Sequence, residues 1–301
     1  MTAPDALAVA VVGTGRMGAA MVRRLRGAGV RVVVFNRTTD RAAKVAAETG
    51  ATAVTTAREA AGAAPIVLVS LADDRALEDT YGGADGILAG VGAGTVVADT
   101  STVDPQTMKR LAPGLAARGA SLLDAPVSGS LQLVERGELT VLAGGAAADL
   151  DRARPVFEIL ARRIIHVGPS GAGSTMKLAV NGIIHALNQA LSEALVLAET
   201  AGVERATAYE VFAASAAAAP FVLYKRAAFE HPDEAPVAFS LDLVAKDLDL
   251  ILALASRTGA PMPQTEVNRR TVRDAIEAGY GDRDLSTLAG LLRERIRPAR
   301  S

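Results

Sequence analysis

Ala8-Val-Ala-Val-Val12-Gly13-Thr-Gly15-Arg-Met-Gly18 sets five apolar residues directly before three glycines at fixed spacing. An apolar run of that length reads as a buried strand, and Arg16 to Gly27 reads as the helix that follows. In a strand-turn-helix of this kind, Gly13 makes the tight turn and Gly15 lets the backbone approach a pyrophosphate. Gly18 lets helix and strand pack closely. The helix N-terminus then offers unpaired N–H groups and a positive dipole to phosphate oxygens. The pattern predicts a dinucleotide loop in which Arg16 and Met17 lie beside the three glycines.

Working outward, Val30–Phe35, Ile66–Ser70, Thr95–Asp99, Ser121–Asp124 and Leu139–Ala143 read as further strands. Helical stretches such as Arg41–Thr49 separate them. Several runs are apolar without alternation, as expected of strands covered on both faces. The alternation predicts an α/β, Rossmann-type doubly wound parallel sheet. Past about Val167 strand signals stop. Ser174–Ala201 reads as one long helix, followed by helices near Glu204–Ala216, Leu241–Thr258, Gln264–Ala278 and Ser286–Arg295. The expected organisation is a dinucleotide-binding domain over 1–167 and an all-helical substrate and dimerisation domain over 168–301.

The end of the second strand selects the cofactor. An NAD site usually places an acid about 20 residues beyond the motif, but here the stretch is Phe35-Asn36-Arg37-Thr38. Arg37 can pair with a 2′-phosphate through its planar fork, and Asn36 and Thr38 can add hydrogen bonds. The expectation is NADP (NADPH). Leu71-Ala-Asp73 and Asp99-Thr-Ser101-Thr102 end strands on the same side of the sheet. Leu71, Asp73, Ser101 and Thr102 are therefore expected to border the nicotinamide ribose.

Lys177 and Asn181 are four apart and share a helix face. A lysine near a helix N-terminus and partly buried is biased towards the neutral amine. Such a lysine can act as general acid or base near neutral pH.

With these residues in view, the chain resembles the beta-hydroxyacid dehydrogenase family, which includes 3-hydroxyisobutyrate, tartronate semialdehyde and succinic semialdehyde/glyoxylate enzymes. Four blocks in family order carry the resemblance over nearly the whole chain. They are Gly13–Gly18, Asp124-Ala-Pro-Val-Ser-Gly-Ser130, Gly168–Asn181 and Lys246-Asp247-Leu248. The resemblance implies that Lys177 is catalytic and that Asn181 orients substrate. It also implies that Ser128, Gly129 and Ser130 receive a substrate carboxylate and that Lys246 reaches the cofactor. Many members have a second glycine where this chain has Ser130. Leu131-Gln132-Leu133 also departs from the glyoxylate and succinic semialdehyde branch, so the pocket's size and polarity are expected to be its own. Two other readings stay open: an imine reductase, in which that lysine is commonly replaced, and a nonenzymatic NADP-binding module. The larger 6-phosphogluconate dehydrogenases need a longer helical region than this chain has after 167.

Composition narrows the rest. The 301 residues carry a formal charge of -1, so no nucleic-acid partner is expected. There is no cysteine, which excludes disulfides and thiolate chemistry. His166, His185 and His231 show no metal-ligand spacing with acids, so a metal-free mechanism is expected. His185 lies two turns beyond Lys177 and reads as a core or interface residue. Asp5 stands where the basic region of a signal peptide would be, and no apolar run is long enough to span a membrane. The expectation is a cytoplasmic homodimer or homotetramer acting on a small carboxylate-bearing substrate.

Overall fold

The computed structural model describes residues 7–232 and 234–296; the reading of Asp5 lies outside them. The chain divides into two compact units, one ending at Lys177 and the other beginning at Leu178.

Among the described residues the first unit is built on nine strands. They are β1 (Ala8–Val12), β2 (Arg31–Phe35), β3 (Thr52–Ala53), β4 (Ile66–Val69), β5 (Val96–Asp99), β6 (Ser121–Asp124), β7 (Val127–Ser128), β8 (Leu139–Gly144) and β9 (Ala161–Gly168). Their order is β3-β2-β1-β4-β5-β6-β8-β7, with β9 paired to β8. From β3 to β6 all pairings are parallel, whereas β8 runs antiparallel to β6 and β7. The strand order reverses between β1 and β4, the position where open α/β sheets bind ligands.

Burial of both faces explains the lack of alternation in the sequence. On β1, Val9 and Val11 enter the core under the helices Arg16–Gly27 and Ala147–Leu160. Ala8, Ala10 and Val12 enter a second core, under helices that contribute Leu77, Tyr81, Met108 and Leu115. β3, β7 and β9 were not legible as strands. The first two have only two residues each, and β9 (Ala-Arg-Arg-Ile-Ile-His-Val-Gly) carries exposed arginines on an outer strand.

The long helix spans Ala172–Thr200, starting two residues earlier than the sequence suggested. Its start is set by glycines and by one carboxylate. Gly168 and Gly171 have φ of +140° and +91°, which side chains rarely adopt. Asp124, at the end of β6, accepts from the backbone N–H groups of Gly171 and Ser174, each at 2.9 Å. A Cβ on Gly173 would lie 2.2 Å from the Asp124 carbonyl oxygen and 2.4 Å from that of Leu142. No other residue lets the helix start this close to the sheet. At the far end, Val203 N–H bonds back to Ala198 and Gly202 sits at φ +92°, closing the helix in Schellman fashion.

The second unit packs the rest of that helix with shorter ones around Leu195, Tyr209, Phe221, Phe229 and Leu248. The helix expected to reach Ala278 is regular to Ala275, and the following Ile276–Tyr280 is kinked at Gly279, whose φ is +88°. A buried pair orders the chain here. Lys225 Nζ lies 2.8 Å from Asp284, which also accepts from the N–H groups of Ala238, Phe239 and Ser286.

Asp124→Ala would leave two buried N–H groups without an acceptor, a loss of about 3 kcal/mol. Urea unfolding followed by circular dichroism should show that drop; an unchanged midpoint would contradict the capping role.

Candidate functional site

The glycine loop starts where β1 ends. Gly13 has φ +97°, and a Cβ there would lie 2.2 Å from the Ser70 carbonyl oxygen. Gly18 faces the same constraint, with the Gly13 carbonyl oxygen 2.0 Å from where its Cβ would be. Gly15 differs. Its backbone is ordinary (φ -64°) and no protein atom lies within 4 Å of a Cβ built on it. Packing therefore explains the first and third glycines but not the second. Close approach by a bound pyrophosphate would explain it. Gly15 is also the N-cap of the helix Arg16–Gly27 and provides no side chain to the first-turn N–H groups. No acid sits in that turn. The residues present fit an anionic dinucleotide.

Arg16 is exposed, and Met17 is half-buried against the core below the loop. Asn36 proves to be structural as well as nearby. Its Oδ1 accepts from Thr14 N–H at 3.0 Å and its Nδ2 donates to the Thr38 carbonyl at 3.1 Å. It thereby ties the end of β2 to the glycine loop. Arg37 and Thr38 are exposed just before the helix Thr39–Thr49. That helix adds two cations that the sequence reading missed. Arg41 and Lys44 line one cavity of about 420 Å³ with Arg16, Arg23, Thr14 and Gly15. Their three-residue spacing on a helix following the second strand was the available signal.

Beyond β4 and β5 the backbone is stitched together. Leu71 N–H donates to Ser101 Oγ at 2.9 Å, and Ser101 N–H donates to Asp99 Oδ1 at 2.9 Å. Tyr81 donates its hydroxyl to Asp99 Oδ2 at 3.0 Å. Asp99 is buried, and burial pushes its carboxyl up to about 6, against the lowering effect of the hydrogen bonds from Ser101 and Tyr81. Burial, followed by the charge of Asp99, raises the Tyr81 hydroxyl as well. Asp73, expected at the ribose, caps the next helix through Ala76 N–H at 2.8 Å, and Thr102 is half-buried beside Ser101.

Past Asp124 the chain turns through Ser128, Gly129 and Ser130. Gly129 has φ +143°, and a Cβ on it would meet Leu139 Cδ2 at 2.7 Å. Ser130 begins the short helix Leu131–Arg136 without a side-chain cap. Burial raises the Asp124 carboxyl, against the backbone hydrogen bonds from Ser174, Gly171 and Gly173 that favour its charge. Lys177 is half-buried in the second turn of the long helix. The dipole acts mainly within the first turn, so it contributes less there than the sequence argument assumed.

In the second unit, Asp247 is a hub that the sequence reading did not single out. It is fully buried. Asn181 Nδ2 donates to its Oδ2 at 2.6 Å, His185 Nε2 lies 3.5 Å from the same oxygen, and Lys246 Nζ lies 3.1 Å from Oδ1. Burial alone would raise this carboxyl; the His185 ring and the Lys246 ammonium outweigh it and hold the group below the usual range. Two of the expected site residues thus share one acceptor. His185, read as a core residue, is buried and stacks near Phe239 with ring centroids 6.1 Å apart. Among the described residues no cluster of acids and histidines could hold a metal ion.

Residues 8–168 match the NAD binding domain of 6-phosphogluconate dehydrogenase. Residues 171–292 match the NAD-binding model of NADP-dependent 3-hydroxyisobutyrate dehydrogenase. The chain is 32% identical to 2-(hydroxymethyl)glutarate dehydrogenase of Eubacterium barkeri, covering 93% of each. It is 33% identical to 3-hydroxyisobutyrate dehydrogenase of Pseudomonas aeruginosa, covering 95% of this chain and 98% of that one. A solved structure of Mycobacterium tuberculosis 3-hydroxyisobutyrate dehydrogenase with L-serine is similar with a TM-score of 0.83. That likeness is at 30% identity over 96% of this chain and 99% of the other. The chain belongs to the beta-hydroxyacid dehydrogenase family, and its first unit is a nicotinamide-dinucleotide-binding domain.

The glycines separate packing from binding. Gly15→Ala should keep the melting temperature and lose at least about tenfold in dinucleotide affinity, roughly 1.4 kcal/mol. Gly18→Ala should fail by stability instead. Thermal melts and fluorescence titration of the two variants would reveal the opposite pattern if Gly15 were a packing residue.

Proposed function

We propose that this chain is an NADP-dependent oxidoreductase that interconverts a small β- or γ-hydroxy acid and its semialdehyde or keto acid, with Lys177 as general acid and base. The observation that carries this reading is a glycine loop whose middle glycine no protein contact requires, together with a lysine and an asparagine four apart on one helix. A bound nicotinamide supplies or accepts the hydride at the carbon bearing oxygen.

The chain's own residues do the rest. In the reducing direction Lys177 Nζ gives a proton to the carbonyl oxygen; in the oxidising direction it takes that proton back. Asp247 occupies an amide hydrogen of Asn181, which orients the Oδ1 end of that amide as an acceptor for substrate. The N–H groups of Ser128, Gly129 and Ser130 receive the substrate carboxylate. The names of the relatives, acting on 3-hydroxyisobutyrate and on 2-(hydroxymethyl)glutarate, support a small carboxylate substrate of this class. Lys246 is assigned to the cofactor, held in place by its pairing with Asp247.

For the 2′-phosphate, Arg37 is the primary partner, supported by Arg41 and Lys44. The absence of an acid at Asn36-Arg37-Thr38 favours NADP over NAD. Loss of one charge-assisted bidentate contact is worth about 1.5–3 kcal/mol, roughly 10- to 100-fold.

The long helix also leaves Ile183, Ala190 and Leu197 exposed at seven-residue spacing, with Ile183 at 64% and Leu197 at 70%. Residues at that period lie along one side of a helix, where a second helix can pack. We assign it to self-association into a dimer or tetramer. No described helix is long and apolar enough to cross a membrane.

Lys177→Ala should bind NADPH with unchanged affinity and lose about 10²- to 10⁴-fold in kcat. Turnover near the wild-type rate on a panel of semialdehydes and hydroxy acids would refute its role. Arg37→Asp should lower the NADPH-to-NADH ratio of kcat/KM by roughly 10- to 100-fold. Equal efficiency with both cofactors in the parent enzyme would overturn the NADP assignment. Leu197→Glu should shift the mass measured by light scattering to that of a monomer, and a monomeric parent protein would dispose of the seam.

A further inference from the structure

Asp99 is a carboxylate on which no cation acts among the described residues. Its side chain is buried, its residue 1% exposed, at the end of β5. It accepts from Ser101 N–H and from the hydroxyls of Ser101 and Tyr81, all of them neutral donors. Neutral donors satisfy its oxygens but bring no opposite charge. A second carboxylate, Asp124, is the register partner of Asp99 on β6. Two adjacent buried carboxylates repel, and burying each costs solvation. Stability alone would favour replacing one of them.

Asp124 has its own task at the helix N-terminus, where two N–H groups need an acceptor. Asp99 holds Ser101 and the Tyr81 hydroxyl, but no opposite charge faces it. What distinguishes it is position. Ser101, whose N–H it holds, accepts from Leu71 N–H, so the carboxylate lies directly behind both segments assigned to the nicotinamide ribose. A negative charge behind a nicotinamide site acts differently on the two redox states, because the oxidised ring is positive and the reduced ring is neutral. In a poorly solvated setting that difference is large enough to read out.

We propose that Asp99 biases the site towards the oxidised, positively charged dinucleotide, acting through its charge rather than by contact. The inference rests on the dinucleotide reading given above. It makes Asp99 a residue that sets the balance between the two cofactor forms, and hence the working direction at a given cofactor ratio.

The titratable groups acting on Asp99 are Tyr81, from the helix Asp74–Tyr81, and Asp124, from β6. Burial raises its carboxyl to about 6. The group is therefore ionised above that pH and loses its charge as the pH falls through it. The bias should be full at pH 8 and much reduced at pH 5.5. The 2′-phosphate titrates in the same region, but both cofactor forms carry it, so it cancels in their ratio.

The test is the ratio of Kd values for NADP+ and NADPH, measured by calorimetry at pH 8 and pH 5.5 on the parent protein and on Asp99→Asn. Binding of both forms by the parent protein establishes the reading on which the inference rests; binding of neither overturns that reading and the inference together. At pH 8 the variant should bind NADP+ about fivefold to tenfold more weakly, with NADPH changed less than about twofold. Its ratio should also be flat between the two pH values, while the parent ratio moves. A purely structural role would weaken both forms alike and leave the ratio unchanged, and either that result or no change in binding overturns the proposal. Should Asp99→Asn fold poorly, the pH dependence of the parent ratio decides alone, and a ratio constant from pH 8 to pH 5.5 refutes it.

Discussion

The Asp124 carboxylate is the group on which the start of the long helix depends. It closes β6 and caps the N-terminus of the long helix through Gly171 and Ser174. A helix start buried against a sheet leaves N–H groups that water cannot reach. One carboxylate meets two of them and fixes where the helix begins. The small residues around it follow from that constraint. Gly144 and Gly173 each leave room for atoms that a methyl group would strike. Lys177 is one turn beyond Ser174, so how Asp124 holds the helix sets the backbone position of the proposed acid.

The same logic, exclusion of side-chain atoms to let backbones meet, operates where the strand order reverses. Gly13 lies against Ser70 and Gly18 against Gly13. The three-glycine pattern is therefore two devices. Two glycines hold the first helix to the strand ends, and the third keeps space open above them. Asn36 joins this arrangement by taking the Thr14 N–H. It links the glycine loop to the end of β2.

In the second unit the organising group is again a buried carboxylate. Asp247 collects Asn181, Lys246 and His185 from two helices. An anion this deep is tolerated only when opposite charge and hydrogen bonds surround it. That requirement gives the Asn181 amide a fixed orientation. Asp284 does comparable work for the segment leading into the helix Leu241–Thr258, taking N–H groups from Ala238 and Phe239 while paired with Lys225.

Local pattern alone determined the central strands, the glycine loop and the extent of the longest helices. The run Ala8–Val12 and the glycines at 13, 15 and 18 needed no partner to be read, because burial on two faces and tight turns leave their mark in neighbouring residues. The Lys177–Asn181 spacing was equally local. Tertiary structure decided what lies far apart in sequence. The two-residue strands β3 and β7 exist only because a neighbour pairs with them. The capping role of Asp124 depends on residues 47 and 50 positions later. The Asp247 hub draws on Asn181, 66 positions away. A carboxylate's identity shows that it can accept hydrogen bonds; only packing decides which N–H groups it receives, since those donors are brought together by the fold and not by the chain.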